Sequence, residues 1–380
     1  MYKLFWNCLL NNILILTLKK NIKKLVCLQI IPTMGIGGVE TGVRNIAQYL
    51  NSKNIENYIL CESNNKNLED NNLNIIYLKN LKYKNIFDQT KIKIFIENFI
   101  KEKKINLIHI SSRAPAFFLI KFLKKLNCKT VTSVHNKYKS ENFLKSWYNN
   151  HLLKGDHVIF NSNFVKNSYE KFNLSKNRFT VVPRGVDIKY FQCQKQISLD
   201  NQNYIFMPSR ISNWKGHDLL TYHYKKLPKK YKDKFKLLFI SSHSTNEEIK
   251  LDKIIRENSL NSHINFTKPT LDIKRLYEKS FLTINMSKRP EGFGRTISES
   301  LSMSRPVIAP DCGGVKEQLE FFDTNLLFKV DSYNSFKKSL DYAINNHKRI
   351  QKKSRDFVKE KFSSNLMCKN TLKIYKNLIF

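Results

Sequence analysis

With 380 residues the chain is too long for a single compact core, which predicts two domains. Its composition, 41% hydrophobic and 12% aromatic, is that of a globular protein and sets aside disordered and fibrous classes. A formal net charge of +35 suits an anionic partner such as a membrane surface, nucleic acid or phosphorylated substrate, although an excess of Lys, Asn and Ile together is equally what an AT-rich genome writes.

The first residues, "MYKLFWNCLLNNILILTLKK", hold a short apolar stretch split by Asn11 and Asn12, with no small-residue cleavage site after it. No run of about 20 apolar residues exists, which argues against a membrane span. The segment reads either as an interfacial anchor or as an upstream start that is not translated. "KKLVCLQII" (Lys23 to Ile31) then forms a continuous apolar run, the pattern of a strand buried on both faces. Further strands are expected at "NYILC", "LNIIYL", "INLIHI", "KTVTSVH", "HVIFN" and "FTVVP", with helical periods such as "VRNIAQYL", "KIKIFIENFIKEKK" and "SNFVKNSYEKF" between them. The stretch from Ser63 to Asn85 reads as loop around one short strand.

A second series begins near Asn203 with "YIFMP" and continues through "FKLLFIS", "HINFT", "FLTINM", "RPVIAP" and "NLLFKV". Alternating strands and helices imply parallel, doubly wound sheets. The polar stretch Gln192 to Asn203 is the best linker, and the chain from about Asp331 to Phe380 reads as helical throughout. The boundaries expected are an extension at 1–22, domains at 23–192 and 193–360, and a helix at 361–380 that packs back on the first domain. The seven cysteines lie far apart, without a C-x-x-C pair, which fits a reducing cytoplasm and no metal or redox site.

Three segments at strand ends point to an anionic ligand. "TMGIGGVETG" places Gly37 and Gly38 where a helix begins, so backbone N–H groups can approach a phosphate. Glu40 occupies the last position of a G-x-G-x-x-G pattern, so a dinucleotide fingerprint is absent, and a plain tight turn is an equal reading. "SRISNWKG" carries Arg210 and Lys215, two cations able to clamp a diphosphate, or two solvated charges in a basic chain. "RPEGFGRTISES" carries Glu291 in a loop and Glu299 in the helix expected from about Arg295 to Met303. A carboxylate one turn into that helix can bond a vicinal diol; the plain alternatives are an exposed helix residue and a helix-entry acid.

Taken in order, the glycine loop, "SVHN", "VVPRGVDIKYF", "SRISNWKG" and "RPEGFGRTISES…RPVIAPDCGGVKE" resemble the retaining GT-B glycosyltransferases of family 4 (glycosyl transferases group 1) over most of the chain. The resemblance implies two Rossmann-like domains facing across a cleft. It implies an enzyme that moves a sugar from a UDP- or GDP-linked donor to a hydroxyl, with no metal or other cofactor. Glu299 would hold the ribose, and Glu291 would sit beside the donor sugar with Gly292, Phe293 and Gly294. Arg210 and Lys215 would hold the diphosphate with help from Gly37 and Gly38, and His135 would lie near the reacting carbon. Arg113, Asn136 and Arg184 are candidates for the acceptor side. Asn136 and Arg184 depart from the family's usual Asp and Asn. Ser304 and Arg305 stand where a helix-ending glycine is usual, so a local backbone adjustment is expected.

The acceptor expected is an envelope glycan or glycolipid of the lipopolysaccharide kind, reached from the cytoplasm at an anionic membrane surface. An epimerase of the same fold and a non-catalytic nucleic-acid binder are the competing readings. No nucleic-acid recognition module is visible, so no specific nucleic-acid partner is expected.

Overall fold

The computed structural model describes residues 24–35, 37–64, 72–81, 86–138, 142–193 and 203–380. The N-terminal extension and most of the expected linker lie outside the described residues.

Two parallel sheets organise the chain. The first holds β1 (Cys27–Ile30), β3 (Asn57–Cys61), β5 (Ile75–Tyr77), β6 (Leu107–Ile110), β7 (Lys129–Val134), β8 (His157–Phe160) and β9 (Phe179–Val181), in the order β5-β3-β1-β6-β7-β8-β9. The second holds β10 (Tyr204–Arg210), β11 (Lys236–Ile240), β12 (Ile264–Thr267), β13 (Ser280–Ile284), β14 (Val307–Pro310) and β15 (Leu327–Phe328), in the order β12-β11-β10-β13-β14-β15. Every strand expected from the sequence is present. The apolar runs form because helices cover both faces of each sheet: all four residues of β1 and all five of β13 are buried. Two short strands not expected from the sequence, β2 (Thr33–Met34) and β4 (Ser63–Asn64), pair as a two-residue ladder beside the first sheet.

Some helices differ from expectation. "SNFVKNSYEKF" is helical only over Asn163–Asn167, followed by a 3-10 turn at Glu170–Phe172. The C-terminal stretch divides into Tyr333–Asn345, His347–Lys361 and Ser364–Ile379. The last of these leaves the second domain and lies against the first. Its Met367, Cys368, Leu372 and Tyr375 share a core with Leu25, Cys27, Ile46 and Leu107.

The turn ahead of β14 resolves the missing glycine. Ser304 itself takes the left-handed conformation, φ 55°. Arg305, 1% exposed, turns inward to donate to the carbonyls of Tyr277 (3.0 Å) and Glu278 (3.2 Å). A side chain in the left-handed region costs about 1 kcal/mol relative to glycine. Ser304→Gly is therefore expected to stabilise the second domain by about that amount, read as a raised thermal midpoint; a lowered midpoint would show that the serine hydroxyl matters more than the backbone.

Candidate functional site

In each sheet the strand order reverses once, between β1 and β6 and between β10 and β13. A crevice opens there at the carboxyl ends of the strands, because neighbouring connections depart to opposite faces. Nearly all of the residues singled out above lie at such ends, and the two crevices face each other.

The donor half is built around Glu291. Its Oε1 accepts from Lys215 Nζ (2.9 Å), Asn285 Nδ2 (2.9 Å) and Ser287 Oγ (2.5 Å). Burial alone would push this carboxyl up, but the Lys215 ammonium and the other two donors outweigh it and hold it below its usual value. Lys215 also lies over the Trp214 ring at 4.2 Å. At the exposed end of β10, the backbone of Arg210 pairs with Ile240, while its guanidinium makes no hydrogen bond or ion pair among the described residues.

Glu299 lies in the helix Arg295–Ser302 and is 8% exposed, not a solvated helix residue. One oxygen accepts from the Tyr277 hydroxyl (2.9 Å) and the other pairs with Arg295 Nη2 (2.9 Å). Glu291 and Glu299 are thus separately wired.

The loop between them approaches the other domain closely. A Cβ on Gly292 would sit 2.1 Å from the His135 carbonyl oxygen, so only glycine fits. The Gly292 carbonyl accepts from Ser162 Oγ (2.5 Å), and the Phe293 carbonyl from Gln318 Nε2 (2.6 Å). A trans peptide sets its N–H opposite its C=O. Anchoring these two carbonyls therefore fixes the directions of the Phe293 and Gly294 amides. Gly294 then starts the helix in the left-handed region, φ 81°.

Across the cleft, Gly37 precedes and Gly38 opens the helix Gly38–Asn51, with the Glu40 carboxylate folded against Gly37. Arg184 donates to the Gly38 carbonyl (3.0 Å). Burial, then repulsion from Arg295, lowers the Arg184 guanidinium to about 10, with Glu40 acting against both. Arg184 therefore stands with Arg295 at the helix start. Arg184 also lines a space with Ser111, Ser133 and His135, residues it shares with the cavity of Arg113 and Asn136. Those two line a cavity of about 200 Å³ with His135, Ser111, Ser133 and Tyr169. Arg113 is held there by Asn149 Oδ1 (3.0 Å).

Neither ring nitrogen of His135 meets a hydrogen-bond partner among the described residues. Burial, then Arg184 and His109, push its pKa well below the usual value, and the nearby Ser111 backbone only partly offsets them. The ring is neutral at pH 7. Behind it, His109 joins the Tyr375 hydroxyl (2.5 Å) and Ser133 Oγ (2.7 Å).

Asn285, Ser287, Tyr277, Arg295 and Gln318 were not singled out from the sequence. The signal for the first two was weak: polar residues directly after a buried strand, in the loop that carries Glu291. Among the described residues, no group of three His, Cys, Asp or Glu side chains is placed to hold a metal ion.

Comparison with known proteins agrees with this architecture. Residues 36–190 match the family model described as Glycosyltransferase Family 4, and residues 191–362 match that described as Glycosyl transferases group 1. A crystal structure of a glycosyltransferase from Rickettsia africae is 30% identical with a TM-score of 0.82, covering 93% of this chain and 98% of that one. The Escherichia coli O-antigen biosynthesis glycosyltransferase WclY is 23% identical, covering 73% of this chain and 80% of that protein. Anabaena HepE, solved in complex with UDP, shares the fold at 17% identity and a TM-score of 0.79, covering 93% of this chain and all of that one. Fold and site define a two-domain, cleft-forming α/β protein of the GT-B class. The chain belongs to glycosyltransferase family 4.

The buried histidines make stability depend on pH. Burial lowers His109 to about 3 and His217 to about 4, and His135 falls in the same direction. Folded values below the unfolded one contribute stability that is complete above about pH 6.5 and is lost as pH falls toward the folded values. Each histidine taking up a proton on unfolding costs roughly 1.4 kcal/mol per pH unit in that window. The melting temperature is expected to fall steadily from about pH 6.5 to about pH 4.5; a flat profile would contradict neutral burial.

Proposed function

We propose that this glycosyltransferase moves a sugar from a nucleoside diphosphate sugar to a hydroxyl of a lipid-linked envelope glycan, with retention at the anomeric carbon. The observation that carries the reading is the convergence in one cleft of two separately wired carboxylates, two cations and a pair of aimed backbone amides. The UDP bound by HepE and the O-antigen role in WclY's name support the donor and acceptor classes.

On this reading the Glu299 carboxylate takes the ribose hydroxyls, exchanging its present partners for them. The Phe293 and Gly294 amides and Glu291 take the sugar hydroxyls. Arg210 and Lys215 meet the diphosphate, which gains negative charge as the C1–O bond to phosphate breaks. Preorganised cations stabilise that charge more than they stabilise the ground state. The acceptor oxygen forms the new bond to C1 on the same face, and its proton passes to the departing phosphate oxygen. No protein base is needed, which suits a His135 that stays neutral and lies beside the reacting carbon. The acceptor enters by the cavity lined by Arg113 and Asn136. The enzyme works without metal, in the cytoplasm at the inner face of a membrane.

Incubation with a panel of UDP- and GDP-sugars and a cell lipid extract, read by mass spectrometry, tests the reaction. A sugar-extended lipid formed in excess EDTA is the expected product. Donor consumed without acceptor, with release of free or epimerised sugar, would favour the epimerase; no consumption would reject both.

The two cations are expected to separate. Arg210→Ala should leave the fold intact and lower kcat more than donor affinity, because the Arg210 guanidinium is exposed and without an internal partner. Lys215→Ala should lower kcat as well, but also destabilise the second domain by about 3 kcal/mol, since it leaves Glu291 buried without its cation. Kinetics beside thermal melts check both; a change in KM alone would mean uniform ground-state binding. Glu299→Ala should weaken donor binding by roughly 1.5–3 kcal/mol, and unchanged affinity by calorimetry would remove its assigned role.

A further inference from the structure

An apolar surface on the first domain is not accounted for by the cleft. A groove of about 900 Å³ opens between the helices Ile86–Lys103, Arg113–Leu123 and Phe143–Asn149, walled by Phe117, Phe118, Phe122 and Tyr148. The aromatic surface continues beyond it. Trp147, 46% exposed, packs edge-on against Phe117 at 4.9 Å, and Leu144, one turn earlier on the same helix, is 70% exposed. Soluble surfaces scatter such residues singly, and a contiguous group marks a surface that is covered in use.

The charged residues that line it are all lysines. Lys93, Lys121 and Lys125 line the groove and form no ion pair among the described residues. Neither Arg113–Leu123 nor Phe143–Asn149 contains an acid. Acids on Ile86–Lys103 are Asp88, Glu97 and Glu102, and the last two are paired with Lys101 and Lys103. Lys154 beside the patch has a lowered pKa, from burial first and then from repulsion by Lys121 and Lys124.

We infer that this patch docks the protein on an anionic lipid bilayer. Long lysine side chains reach phosphate headgroups while their stems and the neighbouring rings lie at the acyl boundary. Trp suits that boundary because one edge is polar and the body apolar. An acidic protein partner would match the charge, but it would not require Leu144 to stand so far out of the surface. No helix among the described residues is long and apolar enough to span a membrane, so the contact is a docking one.

The position gives the docking its purpose. Arg113 lines the cavity beside His135 and begins the helix that bears Phe117 and Lys121. At 1.5 Å per residue these lie about 6 and about 12 Å along the axis from Arg113. A glycolipid whose tails stay in the bilayer could present its headgroup hydroxyl at the cavity without leaving the membrane. This purpose rests on the glycosyl-transfer reading; the docking itself does not, and it is measured without donor or acceptor.

The test is co-sedimentation of the full chain with vesicles of phosphatidylcholine alone and of phosphatidylcholine with phosphatidylglycerol. Binding should require phosphatidylglycerol and fall with salt. The triple variant Lys93→Glu, Lys121→Glu, Lys125→Glu should bind at least about tenfold more weakly, and Leu144→Ser with Trp147→Ser several-fold more weakly. The reversal Lys352→Glu, Lys353→Glu, Lys359→Glu, on the exposed face of His347–Lys361, changes net charge equally and should cost less than about twofold. Thermal melts confirm folding, and the milder Lys93→Gln, Lys121→Gln, Lys125→Gln form substitutes if the reversal does not fold. Equal losses in both triples would overturn the assignment by showing that only total charge matters. Patch variants that bind like the parent would overturn it too, as would a patch variant that loses self-association instead, which would make a second copy of the chain the occupant.

Discussion

One carboxylate oxygen ties the donor half of the cleft together. Glu291 Oε1 collects Lys215 from the loop after β10 and Asn285 and Ser287 from the loop after β13. These are the two loops that flank the switch point of the second sheet. A buried carboxylate is tolerated only where such donors exist, so the loops have to come together for either to be stable. Lys288 adds an outer tie, pairing with Asp218 at 2.6 Å. The pair is a scaffold in the structure as it stands, and a ligand that needs Lys215 has to share it.

Closure of the cleft rests on backbone contact. Gly292 meets His135 where no side chain fits, and Ser162 holds the Gly292 carbonyl. Nearby, Glu317 of the second domain accepts from the Asn163 amide (3.0 Å) and from the Phe164 amide, capping the helix Asn163–Asn167 of the first. A carboxylate at a helix start meets both orphan amides and the positive end of the dipole. Burial raises the Glu317 carboxyl, and those two amides oppose it. The two domains thus meet through polar groups that satisfy each other only when the halves are together. The C-terminal helix joins them covalently and through the apolar core at Tyr375.

The fold was legible because its signals are local. Parallel strands buried on both faces must be apolar runs, and each helix between them must show its own period. The exceptions have a common cause. β2 and β4 are two residues each, too short for any pattern, and exist because the loops that carry them run side by side. "SNFVKNSYEKF" has helical composition, but after Asn167 the chain tightens into 3-10 turns. Ser304 has no propensity for the left-handed region; the burial of Arg305 behind it over-determines the turn.

By itself, the sequence determined the alternation that makes two doubly wound sheets. It also determined which loops sit at strand ends and the order of motifs that marks the family. Those features reside in residue type and spacing along the chain. Only the tertiary structure decided what each polar side chain faces. It buried Glu299 against Tyr277 and Arg295, gave Glu291 its three donors and aimed the Phe293 and Gly294 amides through Ser162 and Gln318. It also put Arg184 at the helix start and gathered the aromatic and basic patch from three helices. These partners are far apart in the sequence and have no spacing rule. Hydrogen-bond satisfaction and burial act across space, and no run of residues records them until the chain has folded.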